Sequence, residues 1–331
     1  MKHGLFIGIN YTTVSGAKLN GCINDVVNVR RMLEVNYNYL PENMVMMRDD
    51  IATTPNATAE DDVLTSAMIL PTRANILAQM QKLVDISASC TEVWLHYSGH
   101  GGQARATRDK YETDRCDETI LPMDFQTAGI ITDNEIFAIL RNLKCRAILM
   151  FDSCHSGSVC DFEWQFEYKG RNVFQRLRVN PQNAIANDKI IMLSGCKDAQ
   201  TSEDTVDTDT QTFAGAMTDA VLDTLSRNYT VILPVFYKSV CELMAARRFS
   251  QRPVLSSTSL SPNYTFTPVA SRGVVTLGTD GVINAVPYKA TLLAGAKPPP
   301  GSAGQILPPP PPQRAPGARI MPPARFAMNF I

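Results

Sequence analysis

Two residues of this chain combine the side chains and the setting needed for nucleophilic acyl transfer: Cys154, in RAILMFDSCHSGS, and His100, in EVWLHYSGHGG. A thiol with its reference pKa of about 8.5 is mostly protonated at neutral pH. Only the thiolate attacks a carbonyl, so Cys154 needs a base beside it. Four histidines are present: His3, His96, His100 and His155. His155 adjoins Cys154 in sequence, but neighbouring side chains diverge, which makes it the weaker partner. His100 lies 54 positions upstream, in a turn of the same kind just past an apolar run. Gly99, Gly101 and Gly102 around the histidine, and Gly157 after the cysteine, let backbone N–H groups approach a substrate closely. The N–H groups of Cys154 and Gly101 would then serve as an oxyanion hole. The implied chemistry is nucleophilic acyl transfer through a thioester acyl-enzyme.

These side chains can meet only if the elements carrying them end at one place. Apolar runs at 3–9, 44–48, 92–97, 146–151 and 189–196 read as strands, with a last short strand at PVLSST. Apolar positions at helical spacing predict helices over 24–35, 73–87, 132–143, 213–226 and 235–247, with Thr72 capping the second. Strands that alternate with helices predict an α/β fold: a mainly parallel central sheet of about six strands with an extra hairpin, and helices on both faces. Ligands of such sheets bind beyond the carboxyl ends of the strands. Three strands end there in polar turns, HYSGHGG, FDSCHSG and LSGCKD. Residues 53–62 read as a surface loop, and 162–188 carries no pattern that assigns it an element.

Composition narrows the class. A net charge of −1 gives no basic surface for nucleic acid or anionic membrane. No apolar stretch reaches eighteen residues, and the amino-terminal apolar run is too short for a signal peptide. The eight cysteines are scattered, without CxxC pairs or a dense disulfide pattern. The expected location is therefore the cytoplasm or nucleus, not the secretory route. From about residue 271 the chain turns proline-rich, with Pro298–Pro300 and Pro308–Pro312. Such a tail, 271–331, cannot join a sheet or helix core and is expected to be disordered or to dock on a proline-reading domain.

HYSGHGG and FDSCHSGS resemble the histidine and cysteine motifs of the metacaspases, relatives of the caspases. The 54-residue spacing is near the roughly 50 of caspase-type enzymes. GINYTTVSGAKLNGCINDV, DETILPMDF, IIMLSGCKDAQTSED and FYKSVCELMAARRFSQRPVLSST resemble further family segments, so the likeness runs from about residue 3 to 266. It implies a caspase-like peptidase domain over 1–268 in a type I arrangement. Its larger half would span 1–165, a linker 166–188 and its smaller half 189–268. The proline-rich piece of type I members is amino-terminal, whereas here it is carboxy-terminal.

The resemblance also implies specificity and activation. Family members cleave after Arg or Lys; Asp25 and Asp152 match their pocket acids, and Cys22 and Ser98 the accompanying polar residues. Two carboxylates in a cleft favour a guanidinium or ammonium. Alone, Asp25 reads first as an acid at a helix start; with Asp152 and the resemblance, the pocket reading is preferred. Asp117, Asp133, Asn134 and Asp161 match the family's calcium site, an oxygen-donor set suited to Ca2+ as activator, with Asn134 where Asp is common. Asp133 also reads as a helix cap, a compatible role. Lys169, Arg171, Arg176 and Arg178 in KGRNVFQRLR would be sites of autocleavage, or merely solvated bases. A monomer acting on basic protein or peptide substrates, with no organic cofactor, is expected. The alternative is an inactive homologue with a regulatory or adaptor role.

Overall fold

The computed structural model describes residues 1–14, 16–50, 69–105, 116–153, 160–195, 204–207, 212–226, 230–249, 251–269, 276–277 and 283–284. All belong to the unit Met1–Ala294; the second unit, Gly295–Ile331, lies outside the described residues. So do the Cys154 turn, residues 154–159, and the polar insert 53–62.

In chain order the elements are β1 (Lys2–Gly8), α1 (Cys22–Tyr37), β2 (Met44–Arg48), α2 (Arg73–Ser87), β3 (Glu92–Ser98), β4 (Gly101–Arg105) and β5 (Cys116–Ile120). They continue with α3 (Phe125–Ala128), β6 (Ile131–Thr132), α4 (Asp133–Leu140), β7 (Arg146–Asp152), β8 (Trp164–Tyr168), β9 (Phe174–Arg178) and β10 (Ile190–Ser194). The last are β11 (Asp204–Asp207), β12 (Thr212–Gly215), α5 (Ala216–Leu225), β13 (Val231–Ile232), α6 (Leu233–Ala246), β14 (Val254–Ser257), β15 (Thr265–Phe266), β16 (Thr276–Leu277) and β17 (Ile283–Asn284). Within 271–331 the described residues are the antiparallel pair β16–β17.

The central sheet has the order β2-β1-β3-β7-β10-β14-β8-β9. Its first five strands are parallel, and β14, β8 and β9 are added antiparallel. Strand side chains point alternately to the two faces. Phe6, Trp94, Ile148, Met150, Ile191 and Leu193 therefore pack with α1, α5 and α6. Leu5, Ile7, Leu95, Leu149, Phe151 and Met192 face α2 and α4 on the other side. Both faces being covered is why these strands read as unbroken apolar runs. Each fully buried aliphatic or phenyl side chain contributes about 1.5–3 kcal/mol of transfer free energy. Trimming Leu95, which is fully buried, to Ala would cost about 2–5 kcal/mol.

The expected six strands are present, and an added hairpin, β8–β9, extends the sheet to eight. The segment 166–188, expected as the linker between the halves, carries most of β8 and all of β9. Phe166 is in register with Leu255 of β14, and the Tyr237 hydroxyl of α6 donates to the Phe166 carbonyl at 2.9 Å. Phe174 closes the hairpin against Tyr168 and Tyr237, with ring centroids 5.3 and 6.2 Å apart. The reason is an unpaired edge: without the hairpin, β14 would present a bare row of N–H and C=O groups.

Two further features place the candidate site. At Gly8, on the carboxyl end of β1, a Cβ would lie 2.6 Å from Val26 Cγ2 and 2.7 Å from the Cys22 carbonyl. Glycine thus lets the amino end of α1 lie against the sheet edge. The small sheet β4-β5-β6 leaves directly from the His100 turn. It runs into α4 through a capping box, in which Thr132 Oγ1 accepts from Glu135 N and Glu135 returns to Thr132 N. Among the described residues no helix is long and apolar enough to cross a membrane.

Candidate active site

The turns that follow β3, β7 and β10 leave from neighbouring parallel strands at one sheet edge. Register is the informative quantity. Ser98 stands opposite Asp152 across β3 and β7, and Gly8 stands opposite Ser98 across β1 and β3. His100 and Cys154 are each two residues beyond that register pair. Cys154 itself lies outside the described residues.

Beside this edge the structure brings Asp25, Ser98 and Asp152 together. Asp25 is buried in the first turn of α1, where Ser98 Oγ donates to its Oδ2 at 2.7 Å. The Gly215 N–H donates to both Asp25 oxygens, at 2.9 and 3.1 Å. Asp152, also buried, receives two bonds on Oδ2: from Thr218 N at 2.9 Å and from Thr218 Oγ1 at 2.7 Å. Both acids thus meet the amino end of α5, where backbone N–H groups and the helix dipole favour negative charge. Gly215 stands between them. A Cβ there would collide with Asp152 Oδ2 and lie 2.8 Å from Asp25 Oδ2. Cys22 is buried at the first position of α1, one turn before Val26.

His100 is fixed from several sides. Its Nε2 is 2.7 Å from the Ala17 carbonyl. A carbonyl only accepts, so Nε2 carries the proton and the lone pair is on Nδ1. Its backbone N–H donates to the Tyr11 hydroxyl at 3.0 Å, and its carbonyl accepts from Tyr97 at 2.7 Å. The Tyr11 ring lies 4.6 Å from the imidazole, and its hydroxyl donates to the Leu121 carbonyl at 2.6 Å. Burial pushes the Tyr11 phenol well above its ordinary pKa, so it remains a donor. Tyr11 adopts φ 51°, a conformation rare for an aromatic residue and held here by those contacts. Gly101 opens β4 opposite Ile120.

An acidic cluster forms where β5 meets the first residue of α4. Asp133 Oδ2 accepts from the Glu118 N–H at 2.9 Å. Its pKa is pushed up to about 9, chiefly by burial and then by Asp161, with further repulsion from Glu118 and Asp117. Asp161 holds φ 43° and receives Asn180 Nδ2 on Oδ1 at 3.2 Å. Asn134 is exposed, and its backbone N–H rather than its side chain meets Asp133. These are hard oxygen donors that repel one another, a chemistry that fits calcium. Among the described residues, however, no three His, Cys, Asp or Glu side chains converge closely enough to hold a metal ion.

The four basic residues between the halves differ in setting. Lys169 pairs with Glu167 at the end of β8, and Arg171 lies in the exposed turn at φ 50°. Arg176 and Arg178 belong to β9, stacked over Trp164 at 5.7 and 5.5 Å, and Arg178 Nε also binds Glu163 at 2.8 Å.

Sequence reasoning missed Tyr11, the Ala17 carbonyl, Glu118, Gly215 and Thr218. Only Glu118, adjacent to Asp117 in DETIL, carried a local signal; the others act across 66 to 190 residues of chain.

A family model described as the metacaspase peptidase C14 domain matches residues 2–163. The chain is 32% identical to a Metacaspase-1 of Mycosarcoma maydis over 301 residues, covering 78% of this chain and 70% of that one. It is 32% identical to a Metacaspase-1 of Schizosaccharomyces pombe, covering 77% and 67%. Against a Metacaspase-1A of Neurospora crassa identity rises to 44% over 172 residues, but the match spans 35% of that relative's length.

Proposed function

Since the chain belongs to the metacaspase family and is a cysteine-type endopeptidase, we propose that it cleaves peptide bonds after Arg or Lys with Cys154 as nucleophile and His100 as acid–base partner. The observation that carries this reading is the β3–β7 register, since His100 and Cys154 follow the opposed pair Ser98 and Asp152 by two residues each. With its proton on Nε2 toward Ala17, His100 offers Nδ1 to accept the thiol proton. The thiolate adds to the carbonyl carbon, and the N–H groups of Cys154 and Gly101 receive the negative oxygen. His100 then returns its proton to the departing amine, leaving a thioester that water hydrolyses with the same imidazole as base. Asp25 and Asp152, aligned by Ser98, Gly215 and Thr218, supply the negative charge that selects a cationic side chain.

Calcium activation is supported by the acidic cluster. Asp117, Asp133 and Asp161, with Asn134 offering a carbonyl oxygen and Glu118 adjacent, would hold the ion, whose charge would counter the burial and the repulsion from neighbouring acids that raise the Asp133 pKa. Self-cleavage is assigned to the exposed turn, after Lys169 or Arg171. Arg176 and Arg178 are engaged in a paired strand and stacked on Trp164. Mass spectrometry of incubated protein would then find new amino termini at Gly170 or Asn172, not at Leu177 or Val179.

The deciding experiment assays peptides ending in Arg, Lys or Asp, with calcium or chelator, beside Cys154→Ala. Calcium-dependent cleavage after Arg or Lys, lost in the variant, is expected. Cleavage after Asp would overturn the acidic pocket, and indifference to chelator would remove calcium. A folded but inert protein would leave the regulatory homologue.

A further inference from the structure

The interior holds a histidine that the proposed reaction does not use. His96 is fully buried on β3, two residues before Ser98 and opposite Met150 of β7. Alternation along the strand puts it on the same face as Ser98 and Asp152, under α5. Its Nε2 is 3.4 Å from Thr218 Oγ1, and Thr218 is itself fully buried. Thr218 Oγ1 has one proton, which is committed to Asp152 Oδ2 at 2.7 Å. The contact with His96 therefore runs in one direction only: Nε2–H donates and Oγ1 accepts. That leaves the lone pair of His96 Nδ1, which has no hydrogen-bond partner among the described residues. Desolvation lowers the His96 pKa to about 3, so the ring is neutral wherever the enzyme would work.

A neutral histidine with an unsatisfied buried nitrogen is a poor core residue, because leaving a buried acceptor unpaired is costly. What it supplies is a donor behind Thr218. With one of its two lone pairs accepting from His96, the Thr218 hydroxyl has a rotor position blocked and keeps its proton on the carboxylate. The Thr218 N–H converges on the same oxygen, so Asp152 is held by two donors from one rigid helix turn.

We propose that Thr218, backed by His96, is a positioning pair for substrate recognition, holding the Asp152 carboxylate in the orientation that selects a cationic side chain. This rests on the reading of Asp152 as a pocket acid. The pair acts on which substrate is chosen and takes no part in the proton transfers at His100 and Cys154.

The test compares kcat/KM for matched peptides ending in Arg and in citrulline, its uncharged isostere. A merely structural defect slows both peptides alike and leaves their ratio unmoved. Loss of positioning lowers the ratio. Thr218→Val, which keeps shape and removes the hydroxyl, is expected to lower it about tenfold. Thr218→Ser should return it to within about twofold of the parent. His96→Phe should lower it about threefold, because it removes only the backing donor. If Thr218→Val fails to fold, His96→Phe decides alone: a lowered ratio supports the pair and a parental ratio overturns it. A parental ratio in both Thr218→Val and His96→Phe overturns the positioning role, as does a Thr218→Ser enzyme that behaves like Thr218→Val. Asp152→Asn separates the two layers of the argument. If the ratio collapses there yet stays parental in the other variants, the pair alone is refuted. If it survives in Asp152→Asn, the pocket reading fails and the pair with it.

Discussion

The same central sheet buries carboxylates at both of its edges and treats them differently. At the amino edge, Glu92 opens β3 with its side chain buried, 3.1 Å from Lys2 Nζ. It accepts from Tyr39 at 2.8 Å and Tyr264 at 2.6 Å, while Lys2 and Arg146 lie over those two rings. At the carboxyl edge, the described donors to Asp25 and Asp152 are hydroxyls and backbone N–H groups. A lysine beside a carboxylate offsets its charge; hydroxyl and backbone N–H donors orient a carboxylate without placing a counter-charge beside it. The first arrangement ties the sheet to its surroundings. The second is the arrangement the proposed pocket for a cationic side chain would use.

Substitutions at the two edges should therefore separate cleanly. Asp152→Asn is expected to lower kcat/KM on Arg peptides by about 10²-fold or more, the scale of a lost buried charge partner, with little change in the urea midpoint. A large fall in stability without a change in specificity would break the contrast. Glu92→Gln should do the reverse. It leaves kcat/KM unaltered and costs about 1–3 kcal/mol in urea unfolding, since Lys2 and two buried hydroxyls lose their anion. Tyr39→Phe, removing one neutral donor from that cluster, should cost about 1 kcal/mol by the same measurement.

The acidic cluster supplies a third case, in which neither cation nor dipoles suffice. Asp133 titrates at about 9 in the fold against an ordinary 3.8. Below the lower value both folded and unfolded chains hold the proton. Between the two only the folded chain does, so in chelator this residue makes stability fall as pH rises through that window. Melting curves at stepped pH should show that slope, calcium should flatten it, and Asp133→Asn should remove both the slope and the calcium response. A calcium response that survives Asp133→Asn would place the ion elsewhere.

Much of this was legible in the sequence, for identifiable reasons. The strands β1, β3, β7 and β10 are buried on both faces, and such strands announce themselves as apolar runs. The hairpin β8–β9 did not, because WQFEY is only half-buried and FQRLR mostly exposed, leaving no period to read. Asp25 and Asp152 could be picked out as acids beside motifs, yet which donors hold them could not. Gly215 meets Asp25 across 190 residues, and Ala17 meets His100 through a backbone oxygen that any residue type would present. Tertiary contacts of that span, and main-chain ones of any span, leave no trace in local pattern.

The strand order has one more consequence, for a chain cut in the 169–173 turn. The amino-terminal piece would then own β7 and β8, and the carboxy-terminal piece β9, β10 and β14. Read across the sheet from β7, ownership alternates: first piece, second, second, first, second. The two pieces would be interleaved like the fingers of clasped hands. Each outer strand would be gripped by the other fragment, so breaking the peptide bond would separate nothing until the sheet itself came apart.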